Sequence, residues 1–235
     1  MIPCERVVGD MDSSMMPAMK FILEQIRTGG DRNLGYLVGD RESKVAALVD
    51  PSYTPEALVE RATAQGLAVK LIINTHGHTD HTNGNSRAKE LTGAPVVAWR
   101  GAVAAPALPV DDGQILALGS LSLRFLHVPG HCEDHLLIHL AAERVAITGD
   151  LLFVGKIGGT ETDEDARIEY ESLQRLLREL PDETTIWPGH DFGARPASTI
   201  ALEKATNPFL RVKDVGEFLV LKRDWPRFKA EHGLR

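Results

Sequence analysis

The chain carries one dense run of potential metal ligands, Thr75-His76-Gly77-His78-Thr79-Asp80-His81. Its three imidazoles and one carboxylate cannot all face one side of a strand or of a helix, because their spacing fits neither periodicity. The run therefore predicts a loop that turns, and Gly77 gives the backbone freedom for it. Imidazole and carboxylate are the ligands expected for zinc, iron or manganese, whereas an ordinary polar surface loop would rarely concentrate them.

Three later positions repeat one local pattern, in which an apolar strand is followed by a glycine and then by a ligand-type residue. These positions are His131, Asp150 and His190. Any one of them alone is better explained as a hydrogen-bonded turn residue. Together with the dense run they predict a metal centre of seven ligands at strand ends, where loops bring distant residues into one cleft.

The alternation of apolar and polar residues predicts the order of strands and helices. Strands are predicted at residues 21–28, 34–38, 45–49, 69–74, 114–118, 121–128, 136–140, 145–148 and 184–187. Helices are predicted at residues 55–65, 85–91, 166–180, 198–206, 215–221 and 225–232, with Pro196, Pro208 and Pro226 at boundaries. The middle strands form a predicted antiparallel meander. The whole order predicts an α+β four-layer αββα sandwich, with two mixed β-sheets flanked by helices.

Composition narrows the domain plan and the class of partner. We expect an N-terminal extension (residues 1–20), one αββα domain (21–210) and a C-terminal helical extension packed on that domain (211–235). A net charge of −7 argues against nucleic acid. No apolar stretch is long enough to cross a membrane, and the N-terminus lacks a signal-like segment, so we predict a cytoplasmic protein with a small-molecule substrate. A homodimer is compatible with this composition.

With these motifs the sequence resembles the metallo-β-lactamase superfamily, over residues 21–210. The resemblance implies a metal-dependent hydrolase with two divalent metal ions, Zn²⁺ first and Fe or Mn as alternatives. It implies a first site of His76, His78 and His131, a second of Asp80, His81 and His190, and a bridging Asp150. A water between two such ions has its pKa lowered towards neutrality. Asp80 is then the predicted catalytic residue that orients this water and receives its proton.

Residues 149–154, 190–193 and 207–210 look like the branch that contains glyoxalase II and persulfide dioxygenase. The first implied reaction is hydrolysis of a thioester, ester or lactone of a small molecule, as in hydroxyacylglutathione hydrolase. The alternative is a mononuclear non-haem iron persulfide dioxygenase, with Fe²⁺ held by His76, His131 and Asp150. A β-lactamase and a non-catalytic metal-binding protein are less favoured. The ligand set alone does not separate the first two reactions.

Beyond Asp150 the sequence departs from that branch. The basic residue expected near Gly159 is missing, and an acidic run follows at Glu161, Asp163, Glu164 and Asp165. This run either borders the cleft and repels the carboxylates of glutathione, or forms the first turn of the next helix, where carboxylates suit the helix dipole. We prefer the helix turn. Lys156 and Arg195 are the candidate substrate contacts.

Three residues are predicted to contact the ligands rather than a metal. Asp50 ends a strand and could accept a hydrogen bond from a ligating histidine. Cys132 follows a ligand directly, and its acidic neighbours disfavour a thiolate, which predicts packing rather than nucleophilic attack. His135 is a candidate partner of a ligand.

Overall fold

A computed structural model describes residues 20–103 and 105–231. Residues 1–19 of the predicted N-terminal extension therefore lie outside the described residues. In this part of the chain the strands are β1 Phe21–Gly29, β2 Asn33–Asp40, β3 Val45–Val49, β4 Ala68–Ile73, β5 Val96–Trp99, β6 Leu108–Val110, β7 Ile115–Leu118, β8 Leu121–His127, β9 Leu136–Leu140, β10 Val145–Gly149, β11 Thr185–Pro188 and β12 Ser198–Thr199. The α-helices are α1 Pro55–Ala64, α2 Thr79–Thr82, α3 Asn85–Thr92, α4 Asp163–Glu179, α5 Ile200–Thr206 and α6 Val215–Glu231.

The strands form two six-stranded mixed sheets. The first has the order β1-β2-β3-β4-β5-β6, and the second has the order β12-β11-β10-β9-β8-β7. Strands β3 to β6 pair in parallel, whereas β1 to β3 pair antiparallel. In the second sheet β7 to β10 form the predicted antiparallel meander, and β11 pairs in parallel with β10.

Side chains alternate between the two faces of each sheet, and this alternation builds four layers. In β2, Tyr36 and Val38 point into the core between the sheets, where they join Phe125 and Ile138 of the second sheet. Leu37 points the other way, into a cluster beneath α1 and α3. A third cluster packs α4, α5 and α6 against the outer face of the second sheet. This arrangement confirms the predicted αββα sandwich.

Three strands, β5, β6 and β12, were not predicted from the sequence. Strands β5 and β6 contain four and three residues, too few to show a period. Strand β6 also contains Pro109, which lacks the N–H that a ladder needs. The proline is tolerated because β6 is an edge strand, paired only with β5.

The sequence predicted two helices at residues 215–221 and 225–232. This prediction was wrong, since the structure has one helix there, α6, which continues through Pro226. A proline inside a helix removes one hydrogen bond and clashes with the preceding turn. Here the Trp225 ring packs on Phe209 at 4.6 Å and on Phe228 at 5.3 Å between ring centroids, which anchors both sides of the proline. The helix predicted from residue 198 starts only at Ile200, because two residues before it pair with β11.

Among the described helices, none is long and apolar enough to cross a lipid bilayer.

Candidate metal centre

The seven predicted ligands lie together at one edge of the sandwich. Four of them follow strand ends: His76 follows β4, His131 follows β8, Asp150 follows β10 and His190 follows β11. The other three lie on the segment after Gly77, and the turn that the sequence predicted there includes the one-turn helix α2. The backbone N–H of Leu136 donates to the carbonyl of Thr75 over 2.6 Å, which ties the two sheets together beside this edge.

The first group of donors consists of His76, His78 and His131, whose ligand atoms lie within 4.8 Å of one another. His78 Nδ1 is 3.0 Å from His76 Nε2 and 3.1 Å from His131 Nε2. Three imidazole nitrogens therefore converge on a space of the size that one metal ion occupies.

The second group consists of Asp80, His81 and His190. His190 Nε2 lies 3.3 Å from His81 Nε2 and 3.4 Å from Asp80 Oδ2. Asp150 lies between the groups: its Oδ2 is 3.6 Å from His131 Nε2 and 3.2 Å from His190 Nε2. The structure thus arranges the seven side chains as two adjoining sets with one carboxylate between them.

The outward ring nitrogens of four histidines have partners that fix the tautomer. His131 Nδ1 donates to the Gly159 carbonyl over 2.7 Å, and His190 Nδ1 donates to the Asp31 carbonyl over 2.8 Å. His81 Nδ1 donates to Asp50 Oδ2 over 2.9 Å. His76 Nδ1 lies 3.0 Å from the Thr75 hydroxyl. With Nδ1 protonated, Nε2 of each ring keeps a free lone pair toward the centre, as a metal ligand requires.

Two observations show that these residues suit metal ions. Asp150 Oδ1 is buried and has no hydrogen-bond partner among the described residues. The Nε2 atoms of His81 and His190 face each other at 3.3 Å, and they cannot both be acceptors without a cation or proton between them. Imidazole and carboxylate are also the donor types of zinc and iron sites. The first group and Asp150 would hold one ion, and the second group and Asp150 would hold another.

The two groups differ in their electrostatics. Burial lowers the pKa of His76 well below its usual value, and it also lowers the pKa of His131. Burial opposes protonation of His190 too, but hydrogen bonds to Asp150 and Asp80 outweigh it and raise its pKa to about 9. Burial therefore favours neutral, binding-competent rings at His76 and His131, whereas a cation in the second group would displace the proton that His190 holds beside the two carboxylates.

The predicted contacts of the ligands lie where such contacts would act. Asp50 is buried, and besides His81 it accepts hydrogen bonds from the Thr75 N–H at 2.8 Å and the Thr75 hydroxyl at 2.6 Å. His135 accepts the Asp150 N–H over 3.0 Å, and its ring stacks on His76 at 4.9 Å. Cys132 donates to Asp134, and burial raises the pKa of its thiol to about 11, which disfavours a nucleophilic role.

One residue of the centre was missed from the sequence. Asn33 is 1% exposed, and its Nδ2 donates to Asp80 Oδ2 over 2.9 Å and to the Asp80 carbonyl over 3.1 Å. It also lies 3.4 Å from His190 Nε2. The residue stands at the start of β2, far from every ligand in sequence, so the motifs gave no sign of it. Its pairing with the His190 segment is purely tertiary.

We expect Asn33→Ala to weaken the second metal site by about 10-fold, because partners of metal ligands are typically worth 10–100-fold in affinity. Competition with a metallochromic chelator would measure both sites. Thr63→Ala is the control, since the Thr63 hydroxyl donates to the Val59 carbonyl within helix α1 and contacts neither a ligand nor Asn33. An unchanged affinity of the second site in Asn33→Ala would contradict this role.

The two candidate substrate contacts are placed differently. Lys156 is half-buried beside the centre, with Nζ 3.9 Å from the centroid of the Phe192 ring, which in turn stacks on His190 at 4.7 Å. Arg195 is exposed and lines neither of the two cavities beside the centre. The structure therefore brings Lys156 to the centre and leaves Arg195 at the surface.

Asp163, Glu164 and Asp165 form the first turn of α4, whereas Glu161 precedes the helix and, together with Asp163, lines the cavity that also contains Lys156. Thr162 caps this helix: its hydroxyl accepts the Asp165 N–H, and the Asp165 carboxylate accepts the Thr162 N–H. Asp163 pairs with Arg223 of α6. Two of these carboxylates are thus engaged in structure, as the helix-turn interpretation requires.

Comparison with known proteins agrees with this geometry. Residues 28–190 match the family described as the metallo-beta-lactamase superfamily. A hydroxyacylglutathione hydrolase of Maricaulis maris is 33% identical, over 77% of this chain and 84% of that protein. The human mitochondrial persulfide dioxygenase ETHE1 is 32% identical, over 74% of this chain and 70% of that protein.

Solved structures show the same fold. ETHE1 from Myxococcus xanthus superposes with a TM-score of 0.80 at 30% identity, covering 87% of this chain and 91% of that one. TTHA1623 in a di-iron-bound form has a TM-score of 0.64 at 30% identity, covering 80% of this chain and all of that one. The resemblance predicted from the ligand motifs is confirmed. The chain belongs to the metallo-beta-lactamase superfamily and is an enzyme of that superfamily.

Proposed function

We propose that this enzyme is a dinuclear hydrolase that cleaves the thioester of a small anionic thiol carrier, as glyoxalase II does. One observation supports this most strongly: the second donor group, Asp80, His81 and His190, is assembled beside the first, with Asp150 between them. A two-metal centre suits thioester hydrolysis, because the attacking water needs activation and the negative charge that develops on the carbonyl oxygen needs stabilisation before the thiolate leaves. The relatives named hydroxyacylglutathione hydrolase support the same reaction.

In this proposal, bound metal ions, most simply Zn²⁺, supply Lewis acidity and lower the pKa of a coordinated water. The chain's own residues do the rest. Asp80 receives the proton of the attacking water, because its carboxylate belongs to the second group and is oriented by Asn33. Hydrogen bonds from His190 and Asn33 lower the pKa of Asp80, which keeps it ionised as a base must be. Phe153, in edge contact with the His190 ring, excludes water from that side.

Cationic side chains beside the centre support an anionic substrate. Burial lowers the pKa of Lys156, and the nearby charges of Lys229 and Arg32 add to this effect, while Asp31 and Asp150 oppose it. The Arg32 guanidinium lies 4.7 Å from the centroid of the same Phe192 ring that Lys156 covers. A carboxylate of the thiol carrier would relieve this repulsion and gain charge-assisted hydrogen bonds. These groups take the place of the basic residue missing near Gly159.

A mononuclear iron persulfide dioxygenase is the second candidate. The structural match to ETHE1 of Myxococcus xanthus favours it. The proximity of His76, His131 and Asp150 also favours it, because two histidines and one carboxylate can form the facial triad of a non-haem iron site. The second donor group has no stated task in such an enzyme. For this reason we place the hydrolase first.

Metal analysis together with two assays tests the choice. The purified enzyme is analysed for zinc, iron and manganese, then assayed for S-lactoylglutathione hydrolysis and for oxygen uptake with glutathione persulfide. We expect two metal ions per chain and thioester hydrolysis. One iron per chain with oxygen uptake would establish the dioxygenase instead, and two metals without turnover of any thioester, ester or lactone would favour a non-catalytic protein.

The variant His190→Ala sharpens this test, because His190 belongs only to the second group. For a dinuclear hydrolase we expect turnover to fall by at least about 100-fold. Residues that only hydrogen-bond to a metal ligand are worth up to about 100-fold, and loss of a ligand itself should cost no less. A mononuclear dioxygenase would keep its activity.

A further inference from the structure

A buried ion pair links two helices behind the metal centre. Lys222 of α6 and Glu169 of α4 are in direct contact, and their side chains are only 12% and 0% exposed. Burial of this kind costs more than a surface pair gains, so the pair is a poor device for stability alone. Glu169 Oε1 has no further partner among the described residues, and burial raises the pKa of this carboxyl to about 8.

Two hydrogen bonds through adjacent carbonyl groups connect the Lys222–Glu169 pair to the candidate ligand His131. Lys222 Nζ also donates to the Gly158 carbonyl over 3.2 Å, and the next carbonyl, that of Gly159, accepts the Nδ1 proton of His131 over 2.7 Å. The segment is tightly seated, since a Cβ on Gly158 would lie 2.1 Å from the Asp150 carbonyl and 2.8 Å from His131 Nδ1.

The other half of the pair holds the opposite side of the same ligand. Gly130, directly before His131, has φ +135°, and a Cβ there would lie 2.3 Å from Glu169 Cβ. Glu169 therefore packs against the backbone that leads into His131. Ser172, one turn further along α4, donates to the Pro129 carbonyl over 2.7 Å.

We propose that the Lys222–Glu169 pair positions His131, and that α6 is thereby a working part of the first metal site. Lys222 fixes the carbonyl segment that sets the ring of His131, while Glu169 fixes both Lys222 and the chain before the ligand. The match to the family ends at residue 190, so this role falls on a helix outside the matched part. The inference rests on the metal centre of the proposed function and not on its substrate.

Metal titration of combined variants tests this role. Lys222→Met removes the charge and the donor but keeps the length of the side chain. Glu169→Gln/Lys222→Met also replaces the carboxylate, so that no buried charge is left without a partner. Each is combined with Asp80→Ala/His190→Ala, which disables the second group, or with His78→Ala, which disables the first. Co²⁺ affinity and the Co²⁺ absorption spectrum are measured, with thermal unfolding in parallel.

Where only the first group remains, we expect both Lys222 variants to weaken Co²⁺ binding by about 10-fold, the lower range for partners of ligands, and to alter the spectrum. Where only the second group remains, we expect affinity within about twofold of its parent. Equal losses in both backgrounds, or no loss in either, would overturn the proposal.

Arg223→Gln is the matched control, because it breaks the exposed Arg223–Asp163 pair between the same two helices. It should leave both affinities unchanged, and an equal loss in this variant would assign the effect to α6 packing in general. The readout uses no substrate. Failure of the proposed thioesterase activity would therefore leave this result standing, and the reverse is also true.

Discussion

Replacing Asp80 by asparagine is expected to lower kcat for thioester hydrolysis by about 10²- to 10⁴-fold, the usual range for a lost general base. Asparagine keeps the shape of the side chain but cannot take the proton of the attacking water. Asp80 Oδ2 lies 3.4 Å from His190 Nε2 and accepts from Asn33, so the change also affects a ligand position. The rate must therefore be measured with the metal content of the variant determined and, where needed, restored by added metal.

The same aspartate-to-asparagine change at Asp182 is the control, because this exposed carboxylate pairs with Lys204 at the surface. Its rate should stay within about twofold of the parent, as expected for a surface change away from the site. Full turnover by Asp80→Asn with both metal ions bound would show that another group receives the proton.

Asp50→Ala is expected to weaken the second metal site by about 10- to 100-fold and to lower the free energy of unfolding by about 3 kcal/mol. The buried carboxylate accepts hydrogen bonds from His81 and from the N–H and hydroxyl of Thr75. Its removal strands these donors away from water. Asp50 also has φ +46°, a conformation that alanine adopts poorly. Chelator competition would measure the metal affinity, and urea denaturation of the metal-free protein would measure stability.

Asp50→Asn separates the two contributions. Asparagine tolerates positive φ and keeps one oxygen acceptor, but it lacks the negative charge beside His81. We expect it to regain most of the stability and to keep most of the loss in metal affinity. If Asp50→Ala bound both metals as tightly as the parent, the orientation of His81 would not depend on this carboxylate.

The layered fold could be predicted from the sequence because its signals are local. Apolar and polar residues alternate along β8, β9 is a short apolar run typical of a buried strand, and the strands of the middle region are separated by recognisable turns. The failures have equally local causes. Strands β5 and β6 are too short to show a period, and packing of Trp225 carries α6 through a proline that would end an isolated helix.

The candidate site divides in the same way. Each of its seven donor residues stands in a recognisable context, a run of histidines or a glycine after a strand, so its chemistry is legible without coordinates. The contacts of these donors are another matter. Asn33 beside Asp80, the Gly159 carbonyl beside His131 and Lys222 behind it are separated from their partners by 28 to 91 residues.

The run Thr75–His81 and its three distant partners thus indicate, from residue type and spacing, which atoms can bind metal, and their resemblance to a known superfamily implies the fold that presents them. Only tertiary packing reveals Asn33 and the Lys222–Glu169 pair, and only tertiary packing separates Lys156, beside the centre, from the exposed Arg195. The physical reason is that ligand type is a property of a side chain, whereas its orientation, burial and charge environment come from segments that meet only when both sheets and the outer helices have packed.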